Sequence, residues 1–374
     1  MQQVNAAVAA NTWPVAPTNF LYAWGDNNAG ALGIGNRTDY SSPKQISSNT
    51  NWLQICAGGY QNTSAGVKTD GTLWTWGFNG QGQLGLGNIT NYSSPKQVGS
   101  LTGWAQVSTG RFQNTAAVKS NGTLWLMGAG SYGQLGLGNT TSYSSPKQVG
   151  ALTNWASAVC ANGGARALKT DGTIWSWGYN VQGQLGLGNI TTYSSPKQIG
   201  AGTNWAQING VGNFTMAITT SGALYAWGGN NQGTLGLGNT TYYSSPKQVG
   251  SLTNWAYVAP QMTSSIALKT DGTLWAWGLN SNGQLGLGNR TSYSSPKQVG
   301  SLTTWLKIAG TYQNTYAITT SGALYAWGGN ANGQLGLGNI TNYSSPKQVG
   351  SLTTWTTLST FSGNARNILA IATT

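Results

Sequence analysis

GQLGLGNITNYSSPKQ, residues 82–97, is the stretch whose reading decides the fold, because it recurs along the chain at a nearly fixed interval. Close copies fill 133–148, 183–198, 283–298 and 333–348, and looser ones start at Gly30 (GALGIGNRTDYSSPKQ) and Gly233 (GTLGLGNTTYYSSPKQ). A Trp-Gly pair leads six of these copies, at Trp24, Trp76, Trp177, Trp227, Trp277 and Trp327, and Met127-Gly128 leads the seventh. The glycines of these pairs step by 52, 51, 50, 50, 50 and 50 residues. A fixed period of this size signals a repeat architecture, in which each unit stacks on its neighbours to bury a core.

One unit is clearest from Trp104. The run Trp104-Ala-Gln-Val-Ser alternates in polarity, a loop follows, and Thr115–Lys119 leads through Asn121-Gly122 into Thr123–Gly128. Two β-rich runs joined by Asn-Gly or Asp-Gly form a hairpin, because both turn residues accept positive φ. The same turn is Asp70-Gly71, Asp171-Gly172 and Asp271-Gly272, and becomes Ser221-Gly222 and Ser321-Gly322 in two units. The Pro of each Pro-Lys-Gln run suits an edge strand or a strand start, where no backbone donor is missed. Each unit therefore reads as three or four short antiparallel strands, with no helix required.

Seven such sheets repeated radially make an all-β, seven-bladed β-propeller. An open solenoid would need atypical capping units at its ends. Here residues 19–25 (NFLYAWG) are a half unit, and 367–374 (NILAIATT) are the half that should precede it. Pairing the N- and C-terminal strands completes one blade and leaves no unpaired edge. Residues 1–18 fall outside the period and read as an arm, so the chain divides into an arm, 1–18, and a propeller, 19–374.

Only 6% of residues are charged, Glu and His are absent, and the formal net charge is +12. Seven lysines belong to the repeated Ser-Ser-Pro-Lys-Gln: Lys44, Lys96, Lys147, Lys197, Lys247, Lys297 and Lys347. Spread one per unit, they form a ring of separated charges rather than a nucleic-acid groove. A weak attraction to an anionic surface such as a capsid, an envelope or an acidic glycan fits them better. No stretch approaches the length of a transmembrane span or the pattern of a signal peptide, so the expectation is a soluble chain without membrane insertion. Cys56 and Cys160 lie in units two apart, which argues against a disulfide and for two small buried thiols.

Catalysis fails on inventory. There is no His or Glu to serve as a base, and no Cys pair at metal-ligand spacing, so neither a catalytic site, a metal nor a cofactor is expected. Three of the five Asp are turn formers, and Asp26 and Asp39 replace residues that are uncharged in the other units. The glycine-rich GQLGLGN lacks the Lys-Ser/Thr of a phosphate loop and occurs seven times, so it reads as a turn that lets blades approach closely. Each unit also carries an Asn-x-Thr sequon (Asn36, Asn88, Asn139, Asn189, Asn239, Asn289, Asn339), whose Asn reads as a turn residue binding local backbone.

WG-x-N-x-x-GQLGLGN beside a DGTLWxWG hairpin resembles the repeat of the regulator-of-chromosome-condensation family over residues 19–374. The resemblance implies a seven-bladed propeller and transfers no single function, since such a fold carries unrelated activities. The family includes a plant ultraviolet-B photoreceptor that works through Trp clusters flanked by Arg. Here the Gly-Trp-Arg-type motif is missing and only five Arg exist, so the periodic Trp series (Trp52, Trp104, Trp155, Trp205, Trp255, Trp305, Trp355) reads as blade packing. Guanine-nucleotide exchange on Ran is the family's best-known activity, yet no extra loop stands out here as a nucleotide-displacing wedge.

Two segments vary among the seven copies. One is the loop after Trp-Gly: DNNAG at 26–30, FNGQG at 78–82, AGSYG at 129–133, YNVQG at 179–183 and LNSNG at 279–283. The other joins the first two strands and supplies the candidate contacts Tyr60, Gln61, Arg111, Phe112, Arg166, Asn213, Phe214, Gln261, Met262, Tyr312, Gln313, Phe361 and Arg366. Divergent loops on a repeated scaffold are where binding faces lie. The expectation is a non-catalytic propeller that displays or binds: a surface component of a bacterial-virus particle (capsid decoration, tail or spike), held to capsid or tail proteins by residues 1–18. The alternative is a secreted or cell-surface propeller that binds a protein, as an inhibitor does, or a glycan. A guanine-nucleotide-exchange-like regulator comes third.

Overall fold

The computed structural model describes residues 19–48, 50–58, 63–362 and 366–373. Its strands form seven sheets, and six of them follow chain order as four-stranded antiparallel meanders or their extension. In the third, Trp155–Ala161 pairs with Gly164–Lys169, which pairs with Ile174–Gly178, which pairs with the outermost Tyr193–Gln198. Blades are numbered here from 52–97 (blade 1) to 305–348 (blade 6). Blade 7 is the composite: Asn19–Gly25 pairs along its whole length with Asn367–Thr373, in the order 40–45, 19–25, 367–373, 355–358. The ring is a closed seven-bladed antiparallel propeller without helices among the described residues, as the half units at the two ends predict.

The core sits between blades. One apolar cluster joins Val118, Leu124, Leu126 and Leu135 of blade 2 to Trp155, Ala158, Ala165 and Trp177 of blade 3. Second strands are buried on both faces because a neighbouring blade covers each side, as in the fully buried Thr63–Lys68 and Phe214–Thr219. The Trp series serves this packing: Trp155 meets Trp177 edge to face at 6.2 Å and Trp175 at 6.1 Å.

The organising stretch ties each blade to the next. A Cβ built on Gly183 would lie 2.6 Å from the Cα of Ser244, in the outer strand of blade 4. One built on Gly186 would lie 2.5 Å from Nε1 of Trp227, also in blade 4. Both glycines have positive φ, so conformation and close approach each demand the missing side chain. The Gly188 N–H donates to the Ser244 carbonyl (2.8 Å), and the same bond runs from Gly338 to Ser41 across the closure. Each sequon Asn accepts the N–H two residues on, as Asn88 does from Thr90 (3.0 Å), which is the local backbone role its sequence suggests.

Strand alternation sorts the connections onto two faces. Loops between first and second strands share one face with the loops after Trp-Gly, and hydrogen bonds join the two sets. The Ala129 N–H donates to Gln113 O (2.9 Å), Tyr179 N–H to Gly163 O (2.8 Å) and Gly229 N–H to Asn213 O (2.8 Å). We call this the loop face. Hairpin turns share the opposite, turn face with the links between blades, as when Trp155 N–H donates to Gly122 O (3.1 Å). One strand departs from the repeat: Thr360–Ser362, expected as a loop, pairs in parallel with Cys56–Gly58 and adds a second tie between blades 7 and 1.

Candidate loop-face interface

Both segments that vary in sequence lie on the loop face, and there the blades differ in chemistry. Blades 2 and 3 contribute an aromatic chain. Phe112 meets Tyr132 edge to face at 5.8 Å, and Tyr132 meets Tyr179 at 5.0 Å. Phe112 and Tyr132 stay 37% and 40% exposed. Gly163 makes room for them, since a Cβ there would stand 3.0 Å from Cβ of Tyr179 and 3.4 Å from the ring of Tyr132. Arg111 lies over Phe112, its guanidinium carbon 5.6 Å from the ring centroid. Its Nη1 lies 3.5 Å from Oδ1 of Asn162 in blade 3 and 3.8 Å from Sδ of Met262 in blade 5, so it reaches over the mouth of the central channel. Asn162 in turn donates to Oδ1 of Asn213 in blade 4 (2.5 Å).

The next sectors carry amides instead. Nδ2 of Asn342 donates to Oδ1 of Asn282 (3.3 Å), and Gln313 packs beside Gly329. Tyr312 and Gln313 are half-buried, and Arg366 is exposed while its carbonyl accepts the Asp26 N–H (3.1 Å). Tyr132 and Tyr179 were not among the residues singled out by sequence, although both lie in the variable segment after Trp-Gly. Their signal was a tyrosine where the other blades carry Asn, Asp, Gln, Ala, Phe, Leu or Gly.

Three of the sequence candidates are corrected by burial. Arg166, Phe214 and Gln261 are buried in the seams between blades and cannot meet a partner at the surface. Arg166 donates from Nε to Oγ1 of Thr215 (3.0 Å) and from Nη2 to the Gln184 carbonyl (3.1 Å), and Gly210 leaves room for its stem. Burial lowers its pKa to about 10, which still leaves it charged at neutral pH. Gln261 donates to Asn314 O (2.9 Å) and Oγ1 of Thr315 (2.6 Å). Loops counted from the repeat include strand ends that turn inward, and only the packing separates the two. Tyr60, Gln61, the side chain of Phe361 and the arm 1–18 lie outside the described residues.

Each lysine of the repeated ring is exposed on an outermost strand and lies over the tyrosine of its own strand, from Lys147 at 5.2 Å to Lys347 at 5.6 Å. The channel beneath the loop face narrows to a cavity of about 40 Å³ walled by Ser108, Asn209, Tyr257 and Ser359 with apolar neighbours, room for a little water and no larger ligand. Cys56 and Cys160 are buried thiols that form no disulfide. Among the described residues, no group of three His, Cys, Asp or Glu converges on a point. The chemistry available on the loop face is recognition by aromatic, amide and guanidinium groups.

Comparison with known proteins agrees with this architecture. Residues 19–64, 70–117, 121–168, 171–218, 221–259, 271–318 and 321–364 match the regulator of chromosome condensation (RCC1) repeat. The ultraviolet-B receptor UVR8 of Arabidopsis thaliana is 35% identical over 147 residues, 38% of this chain and 33% of the receptor. The probable E3 ubiquitin-protein ligase HERC4 of Mus musculus is 32% identical over 156 residues, 41% of this chain and 14% of the ligase. The matched segment thus spans a third or less of these relatives' own length. Human WBSCR16 superposes with a TM-score of 0.83 at 21% identity, over 95% of this chain and 100% of that one. Prp20p of Saccharomyces cerevisiae, described with its binding to Gsp1p and histones, superposes with a TM-score of 0.82 at 18% identity, over 96% and 92%. Identities this low speak for the fold alone. With seven matched repeats around one closed ring, the chain belongs to the regulator of chromosome condensation (RCC1) repeat family.

Proposed function

We propose that this propeller is a non-catalytic protein-binding scaffold whose partner docks on the loop face over blades 2 and 3. The observation that carries the reading is the exposed aromatic chain Phe112–Tyr132–Tyr179 flanked by Arg111. Exposed aromatics beside an arginine, set on a rigid frame, are the composition of binding hot spots. Protein binding is also what the yeast relative's structures are described for, with Gsp1p and histones in one case and Kap60 in another.

A photo-crosslinking residue placed at Phe112 in the source cells should capture a defined protein, and the same residue at Ile190 should not. Tyr132→Ala with Tyr179→Ala should abolish the capture at 112 while leaving the circular dichroism spectrum unchanged. Equal capture from both positions, or capture that survives the double substitution, would sink this interface.

Display on the surface of a bacterial-virus particle, with residues 1–18 as the attachment arm, remains the finer form of this reading. It rests on the composition: few charged residues, 6% of the chain, and almost copied repeats. The relatives named above are cellular proteins and lend it no support. Mass spectrometry across purified particles, envelope, cytosol and medium decides it, because stoichiometric recovery with particles is required and recovery elsewhere rejects it.

A further inference from the structure

The turn face carries a pattern that the loop-face reading does not use. Leu101, Leu152, Leu252, Leu302 and Leu352 occupy one position in five of the seven links between blades, and each is 39–50% exposed. Single exposed leucines are ordinary. Five at one repeat position form a ring, and the closed propeller holds equivalent positions at one height. Inside this ring, Leu53 and Leu306 are also exposed, at the residue after the first-strand Trp. The leucines edge grooves between blades, one of about 330 Å³ floored by Leu86, Val98, Trp125 and Pro146 and another of about 450 Å³ beside Tyr22 and Leu337.

Lysines gather near the same face, while Arg111 and Arg366 lie on the loop face. Lys68, Lys119, Lys169 and Lys269 end second strands at the turn face, and Lys307 lies near the start of a first strand at that face. The seven ring lysines sit near the ends of the outer strands that run down into the leucine links. The carboxylates on this face, Asp70, Asp171 and Asp271, each lie in a turn two residues from Lys68, Lys169 or Lys269 and offset it. The ring lysines, Lys119 and Lys307 remain without acidic neighbours in the repeat, while Asp26 and Asp39 belong to the loop-face connections.

We propose that the turn face docks on an anionic lipid bilayer, with the leucine ring entering the headgroup region and the lysine ring held above it. A curved protein surface would meet only part of a flat, blade-spaced ring, whereas a bilayer meets every member at once. Five half-buried leucines acting together bind far more tightly than any one, and the surrounding cations add an attraction that salt screens. The docking is interfacial, since no helix among the described residues is long and apolar enough to span a membrane. It would leave the loop face turned to the solvent, free for a protein partner.

The test is co-sedimentation of the full chain with phosphatidylcholine vesicles, with and without phosphatidylserine. Binding should require phosphatidylserine and weaken as salt is raised. Leu152→Ser with Leu252→Ser and Leu302→Ser should weaken it by about tenfold or more, with an unchanged thermal midpoint, and Ile190→Ser on the loop side should not. Failure of the wild-type chain to sediment overturns the proposal. So does a triple variant that binds as well as wild type, because that is adsorption by charge alone. Retention on heparin without vesicle binding would assign the lysine ring to a polyanion and overturn it equally.

Discussion

Gly186 of blade 3 and Gly200 of the link that follows it both have positive φ, +74° and +60°. A Cβ on Gly200 would meet nothing within 4 Å, whereas one on Gly186 would press on the buried indole of Trp227. Gly200→Ala should therefore cost only the left-handed strain, about 1–2 kcal/mol. Gly186→Ala should add an overpacking cost of about 1–3 kcal/mol. Urea unfolding of the two variants checks this, and equal losses would mean that the indole contact does not enforce the motif.

Protonation gives a second test at the scale of single residues. Burial raises the Cys160 thiol and the Tyr316 phenol above their ordinary values of 9.0 and 10.0. The folded state keeps both protons where the unfolded chain gives them up. Their contribution to stability is full below about pH 9 and is lost as pH rises beyond it. Lys68 and Lys269, lowered by burial ahead of the opposing pull of Asp70 and Asp271, act in the opposite sense and offset part of the loss. Tyr316→Phe should flatten the decline above pH 10, as measured by urea midpoints against pH. It should also cost about 1 kcal/mol at neutral pH for the lost bond to the Gln334 carbonyl. Thiol reagents should leave Cys56 and Cys160 untouched until the chain unfolds, and fast native labelling would contradict their burial.

Among the strands, Asn367–Thr373 has the heaviest structural duty. It pairs with 19–25 on one side and with Trp355–Leu358 on the other, so it joins the two ends of the chain inside one sheet. Removing residues 367–374 exposes the buried Leu21, Trp24 and Trp355 and opens the ring at one blade. The truncated chain should lose its single cooperative unfolding transition and aggregate, which calorimetry and light scattering would report. The repeat predicts this strand because its partner half lies at the other end of the sequence. Nothing in the repeat predicts the parallel strand 360–362, whose partner is set only when blade 7 meets blade 1.

For the whole molecule, a closed ring has no privileged starting blade. Asn19 and Thr373 are direct partners in the blade 7 ladder, so a short hairpin turn like those of the other blades can join them. A permutant lacking residues 1–18, joined there and opened in the exposed link at Gly200, should show the parent's circular dichroism and cooperative unfolding. Failure to fold would show that closure between the ends does more than complete a sheet. The two faces also divide the surface, with aromatic and amide loops on one and leucine links on the other.

The period, the hairpin turns and the split half unit determined the strand content, the blade number and the mode of closure, because repeated local patterns write the same short-range physics seven times. That both variable segments share one face came from the strand order and the hydrogen bonds that join the two loop sets. What the sequence could not settle was which loop residues reach solvent. Arg166, Phe214 and Gln261 look like loop residues in line with Arg111, yet the seams bury them. Tyr132 and Tyr179 come together from different blades through Gly163. Exposure and cross-blade contact depend on the stagger of neighbouring sheets, a relation between residues about 50 apart that only the tertiary structure decides.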